Sequence, residues 1–184
     1  MGRYRAGIET EARIIDATRA LLAEGGLEAV TLNAICERAE VRSGSIYNLF
    51  ESKEAIVLRV VREAIEAFDP DPTGEGTDTV DDLVSAYIRF FEEEPQLARV
   101  YVLAAVSGGA SANGTRQRFL RHHERRVERF ADAMRRNGGS LSETEATQQA
   151  EILLGALDGL AVRWVLDTDF AFSTSARKAV DQLS

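Results

Sequence analysis

The residues best equipped for specific hydrogen bonding lie close together in the stretch TLNAICERAEVRSGSIYNLFESKE, Thr31 to Glu54. Asn48 carries an amide that can pair at two points with an adenine edge, and Ser43 and Ser45 can donate or accept at a base. Gly44, without a Cβ, allows close approach of backbone to a partner. The chemistry available is recognition and not turnover. No nucleophile–base pair, metal-ligand cluster or phosphate loop is found along the chain, so an enzyme is not expected.

These residues need elements to hold them. Leu32, Ile35, Cys36 and Ala39 recur at i, i+3, i+4 and i+7, one face of a helix, with Thr31 placed to cap it. After a tight turn, Ile46, Leu49 and Phe50 are expected on the buried side of a second short helix. At about 100° per residue, Gly44, Ser45, Tyr47 and Asn48 then fan across its opposite side. Ser52, Lys53 and Glu54 open a third helix. A helix that is apolar behind and polar in front fits a DNA major groove.

The pattern VT…I…A…V..G.IY..F.SKE resembles the DNA-binding segment of the tetracycline-repressor (TetR) family of transcriptional regulators, from about Thr10 to about Phe68. The resemblance implies an all-α fold of about nine helices. An N-terminal three-helix helix-turn-helix domain, residues 10–70, would join through a linking helix to a C-terminal regulatory and dimerisation domain, residues 71–184. It implies a cytoplasmic homodimer on a palindromic double-stranded operator, governed by a small-molecule effector, with no cofactor or metal. Thr31, Tyr47 and Lys53 would hold phosphates. Three positions depart from the family. Glu40 stands where glycine is usual, and makes the turn less easy. Arg42 replaces a capping serine, which passes the cap to Ser43 and frees Arg42 to read a guanine or grip a phosphate. Leu49 replaces a common histidine and removes one phosphate contact.

Net charge is -8, which taken globally opposes nucleic-acid binding. The acidity is not evenly spread. Residues 1–62 carry nine Lys/Arg and nine Asp/Glu, whereas residues 63–184 carry 13 against 21. A neutral DNA-binding part predicts modest non-specific affinity and reliance on a few well-placed phosphate contacts. The lone Cys36 is read as a small core residue in a reducing cytosol. No signal-peptide pattern follows Arg3 and Arg5. The longest apolar run, Val100 to Val106, is too short to span a membrane.

Along the rest of the chain, Met1 to Glu9 is expected as a mobile arm, and helix 1 from Thr10 to the Gly25-Gly26 break. Ile56, Val57, Val60, Val61, Ala64, Ile65 and Phe68 make helix 4 apolar over a wide arc, a physical candidate for transmitting motion. DPDPTGEGTD, Asp69 to Asp78, cannot continue a helix and marks a boundary. Thr79 caps helix 5, Pro95 opens helix 6 and residues 108–114 form a loop. Helix 7 runs from about Thr115 to Arg136 with a solvated stripe of Arg118, Arg121, Arg125, Arg129 and Arg136. Ser142 and Glu145 form a capping box for helix 8, which ends near Leu166. A short helix 9 starts near Thr174.

Tyr87, Phe90, Phe91, Tyr101, His123 and Trp164 are candidates to line a cavity for an apolar or aromatic effector, against an ordinary helical core as the plainer account. Neighbouring helix positions point apart, so His122-His123 is not read as a metal site. Gly155 and Gly159, each costing about 1 kcal/mol inside a helix, make a flat face. That face is read as a dimer interface, against a close crossing within one chain. The alternative function is a constitutive or protein-partner-controlled regulator without a small-molecule inducer.

Overall fold

The computed structural model describes residues 2–108, 115–138 and 140–183. Among them the chain is helical, with nine α-helices and no strand: α1 (Gly2–Ala29), α2 (Leu32–Ala39), α3 (Ser43–Leu49), α4 (Lys53–Ala67), α5 (Val80–Glu93), α6 (Pro95–Gly108), α7 (Thr115–Gly138), α8 (Glu143–Leu166) and α9 (Phe172–Leu183). Two compact units form, Met1–Ala67 with Glu94–Tyr101, and Phe68–Glu93 with Val102–Ser184. Of the loop expected at 108–114, Gly108 is instead the last residue of α6, while 109–114, like Gly139, lie outside the described residues. No described helix is long and apolar enough to cross a membrane.

In the first unit α1 packs against α2, α3 and α4, and α2 against α3. Ile14, Leu22, Ile35, Ile46, Ile56 and Val60 are buried there, from all four helices. Burying each such side chain is worth about 1.5–3 kcal/mol, which no surface pair in the unit can match. Buried Thr18 satisfies its hydroxyl by donating to the Ile14 carbonyl at 2.8 Å.

Several expectations need correction. α1 begins at Gly2, so of the arm expected at residues 1–9, residues 2–9 are helix, and Met1 lies outside the described residues. The expected break is present within it: Gly25 (φ -144, ψ 16) and Gly26 (φ 63, ψ -158) leave helical geometry, Gly26 in the left-handed region that favours glycine. α9 begins at Phe172, two residues early, because Phe172 is itself a buried core residue.

In the second unit α7 packs on α8, α8 on α9, and α5 on both α7 and α9. Helix 8 starts on the expected capping box. Ser142 accepts from the Glu145 N–H, and Glu145 accepts from the Ser142 N–H at 2.9 Å. Thr79 and Asp82 make the same reciprocal arrangement at α5, with contacts of 3.1 and 2.9 Å. The arginine stripe of α7 is not uniformly solvated. Arg129 and Arg136 are drawn to Asp69 and Asp78, while Arg121 and Arg125 stay exposed.

Candidate DNA-binding face

Thr31 starts α2 as expected, in extended conformation, its hydroxyl oxygen accepting from the Ala34 N–H at 3.1 Å. The helix ends in a Schellman turn. The Val41 N–H donates to the Cys36 carbonyl at 3.0 Å and the Glu40 N–H to the Glu37 carbonyl at 3.3 Å. This turn needs a left-handed residue at position 40. Glu40 supplies it at φ 53, ψ 45, the one non-glycine with positive φ among the described residues. For a residue with a Cβ that conformation costs about 1–2 kcal/mol.

Arg42 then precedes α3 in extended conformation (φ -84, ψ 152), with no side-chain cap. Ser43 does not take over the capping position. It is the first helical residue, so the start of α3 depends on the turn and on burial of Ile46. The chain leaves α3 when the Phe50 N–H bonds to the Ile46 carbonyl at 2.8 Å, and Ser52 caps α4 by accepting from the Ala55 N–H at 3.1 Å.

Within α3, Ile46 is 1% exposed and fixes the back of the helix, while Tyr47 is 61% exposed on its front. Gly44 and Asn48 are exposed beside it, Arg42 and Ser43 precede it exposed, and Ser45 is half-buried. Leu49 departs from expectation at 38% exposure. Phe50 is half-buried, so Ile46 alone forms the fully buried back of this helix.

Thr31, Tyr47 and Lys53, the three residues assigned to phosphates by resemblance, line one open recess of about 550 Å³. Asn33, Ser52, Glu51 and Glu54 share it. Asn33 was not foreseen. Its only sequence signal is its place two residues after the cap of α2, which turns a polar amide outward with the helix N-terminus. Arg38 and Glu24 tie α2 to α1 through two contacts of 2.5 Å, and the guanidinium holds the Glu24 carboxyl below its usual value.

In the second unit, four of the six candidate effector residues meet in a ring cluster centred on Phe91. Phe91 contacts Tyr87 at 4.8 Å, Trp164 at 5.0 Å and Phe90 at 5.8 Å between centroids. Phe172, unanticipated, stacks on Phe91 at 4.3 Å and 19°. Tyr101 belongs to the other unit, and His123 is half-buried on α7. Beside the cluster, Arg126 lies 5.1 Å above the Tyr87 ring and pairs with Asp158 at 3.1 Å. Burial, then Arg126 and Arg125, lower the His122 imidazole to about 4. No cluster of metal-ligating side chains is found among the described residues.

Gly155 and Gly159 are exposed on α8, and a Cβ at either would meet no atom within 4 Å. Among the described residues no close intrachain crossing is made at either glycine. Ile152, Val162 and Leu166 are exposed on the same helix, Leu166 at 81%.

The family model for bacterial regulatory proteins of the tetR family matches residues 14–60. The HTH-type transcriptional repressor KstR of Rhodococcus jostii is 32% identical over 108 residues, covering 56% of this chain and 51% of that protein. The HTH-type transcriptional regulator UidR of Escherichia coli is 30% identical over 87 residues, covering 46% and 44%. The chain thus spans about half the length of the curated relatives it matches. Among solved structures, SmeT, repressor of the Stenotrophomonas maltophilia multidrug efflux pump SmeDEF, aligns at TM-score 0.68 and 21% identity, over 95% of this chain and 90% of that one. Thermus thermophilus FadR, solved in complex with lauroyl-CoA, aligns at TM-score 0.69 and 17% identity, over 94% and 92%. These structures share the fold, an N-terminal helix-turn-helix followed by a helical domain. Through residues 14–60 the chain is similar to the tetR family of bacterial regulatory proteins.

Proposed function

We propose that this chain is a homodimeric, cytoplasmic transcriptional repressor that holds a palindromic double-stranded operator through α3 and is released by a small apolar or aromatic ligand. DNA binding is assigned to residues 10–70, and effector binding and dimerisation to residues 71–184. The observation that carries this reading is the exposed Gly44, Tyr47 and Asn48 face on a helix anchored by Ile46. Asn48, Ser43 and Ser45 read bases, Gly44 allows close approach, Arg42 reads a guanine or a phosphate, and Thr31, Tyr47 and Lys53 hold phosphates. Dimerisation through Gly155 and Gly159 is supported by their exposure beside Ile152, Val162 and Leu166. Two copies would then present two recognition helices roughly 34–36 Å apart.

Selection of bound duplexes from a random pool tests this directly. A palindrome with half-sites one helical turn apart is expected. Absence of any enriched sequence would overturn it. The FadR proteins solved with lauroyl-CoA and stearoyl-CoA make acyl-CoA thioesters the first effectors to titrate against the operator complex.

A second reading is favoured by the ring cluster around Phe91, whose members pack on one another. In that reading the regulator is constitutive or controlled by a protein partner. Operator affinity that no apolar ligand alters would favour it.

A further inference from the structure

The basic side chains of this protein are almost all arginine, 20 against two lysines, Lys53 and Lys178. A guanidinium stays protonated and is a poor acyl acceptor, whereas a lysine amine can be acylated and then loses its charge. The two lysines sit in different surroundings. Lys178 is exposed near the middle of α9. Lys53 is half-buried as the first residue of α4, where it lines the open recess of about 550 Å³ with Thr31, Asn33 and Tyr47. On exposure alone Lys178 would be the more reactive.

The groups around Lys53 reverse that order for one kind of reagent. The Thr31 hydroxyl accepts from the Ala34 N–H at 3.1 Å, which leaves its own proton to donate. Tyr47, 61% exposed, brings a second hydroxyl. Both α2 and α4 start at the recess, and the first N–H groups of a helix have no partner within that helix. Glu51 and Glu54 line it too and oppose an anion, so a free phosphate compound is held weakly. In an acyl phosphate the phosphoryl oxygen is bonded directly to the carbonyl carbon. A phosphoryl group held by Thr31 and Tyr47 therefore carries that carbonyl to the Lys53 amine. In an acyl-CoA thioester a long arm separates the phosphates from the reactive carbonyl, and the recess offers no such advantage.

We propose that Lys53 is an acylation site, modified by acyl phosphates that occupy the recess in place of a DNA phosphate, and that the modification weakens operator binding. The Nζ lone pair of the neutral amine attacks the carbonyl carbon. A C–N bond forms, the C–O bond to phosphate breaks, and the amine proton leaves with hydrogen phosphate. A neutral amide then stands where a cation stood. This rests on the phosphate-holding role given above to Thr31, Tyr47 and Lys53, and names a regulation of that site.

The full chain treated with acetyl phosphate, with acetylated lysines quantified by mass spectrometry, tests the site. Lys53 is expected to be modified at least about tenfold faster than Lys178, a small part of what holding two reactants together can supply. Excess inorganic phosphate or selected operator duplex is expected to slow Lys53 and leave Lys178 unchanged, and acetyl-CoA to show no preference for Lys53. Once the reagent is removed, the acetylated chain is expected to bind the duplex more weakly, with a salt slope reduced by about 1, in Lys178→Arg as in the native sequence. In Lys53→Arg, treatment is expected to leave unaltered whatever affinity that variant starts with. Modification of Lys178 as fast as Lys53 overturns the site, and an equal preference for Lys53 from acetyl-CoA overturns the role of the recess. An acetylated chain that binds the duplex as well as the untreated one overturns the effect on binding. If the untreated chain binds no duplex, the DNA-binding reading fails and that effect falls with it, while the ratio of the two lysines still decides the acylation site.

Discussion

Arg129 reaches across 51 residues of chain to donate its Nε to Asp78 at 2.5 Å, and the carboxylate it meets is only 2% exposed. Removing the guanidinium leaves a buried charge with less compensation, which costs far more than losing a solvent-exposed pair. Arg129→Leu is expected to lower unfolding stability by roughly 3 kcal/mol. Arg89→Ala, which breaks the exposed Arg89–Glu93 pair, is expected to cost below about 0.5 kcal/mol in ion pairing. Urea midpoints of the two variants give the comparison, and equal shifts would contradict it.

Glu40 holds a left-handed conformation that glycine adopts freely. Glu40→Gly is expected to stabilise the protein by about 1 kcal/mol through relief of that strain, partly offset by the greater freedom of glycine in the unfolded chain. It also removes a negative charge beside the turn into α3. DNA affinity is therefore expected to rise at low salt. Thermal melts and salt-dependent binding report the two effects separately, and a lower melting temperature would count against the strain.

Base and phosphate contacts differ in their signature. Asn48→Ala is expected to cost about 1–3 kcal/mol of operator binding and relax preference at one position of each half-site. Lys53→Ala is expected to weaken all duplexes alike and reduce the salt slope by about 1. Arg42→Ala separates its two candidate roles by the same criterion. Affinity and salt slope both unchanged would remove Arg42 from the interface.

Replacing Gly155 and Gly159 by alanine meets no clash among the described residues. Each change is expected to stabilise α8 by about 1 kcal/mol on helix propensity alone. The doubly substituted chain is nevertheless expected to dimerise more weakly, because the added methyl groups hold a second copy away. Sedimentation at micromolar concentration measures this. An unchanged dimer would place the interface elsewhere.

His122 titrates near 4 in the folded chain, first because it is buried and then because Arg126 and Arg125 lie close. Unfolded histidine titrates near 6.5. Between those values the unfolded chain binds the extra proton, so stability rises with pH across the window and is lost as pH falls. The penalty is expected to reach roughly 2 kcal/mol at pH 5. Asp158, His123, Arg125 and Arg126 are among the ionisable groups acting on it. His122→Gln is expected to flatten the stability profile between about pH 6.5 and 4, leaving the loss below about pH 4 to Asp69 and the other carboxylates. A profile unchanged by the substitution would show that His122 is not its source.

The local features of this chain were legible without coordinates. Thr31, Thr79 and the Ser142–Glu145 box start their helices as their spacing indicates, because a cap is made between residues three apart. Gly25-Gly26 breaks α1 for an equally local reason, and the order of helices follows apolar periodicity. Only the tertiary structure decided what lies far apart in sequence. Arg129 looked like one more solvated arginine because nothing nearby reveals partners 51 and 60 residues away. Leu49 has the right spacing to be buried, yet a seven-residue helix resting on Ile46 has too little neighbouring surface to cover it. Phe172 joins the aromatic cluster because α9 returns beside α5, a matter of packing that periodicity within either helix does not encode.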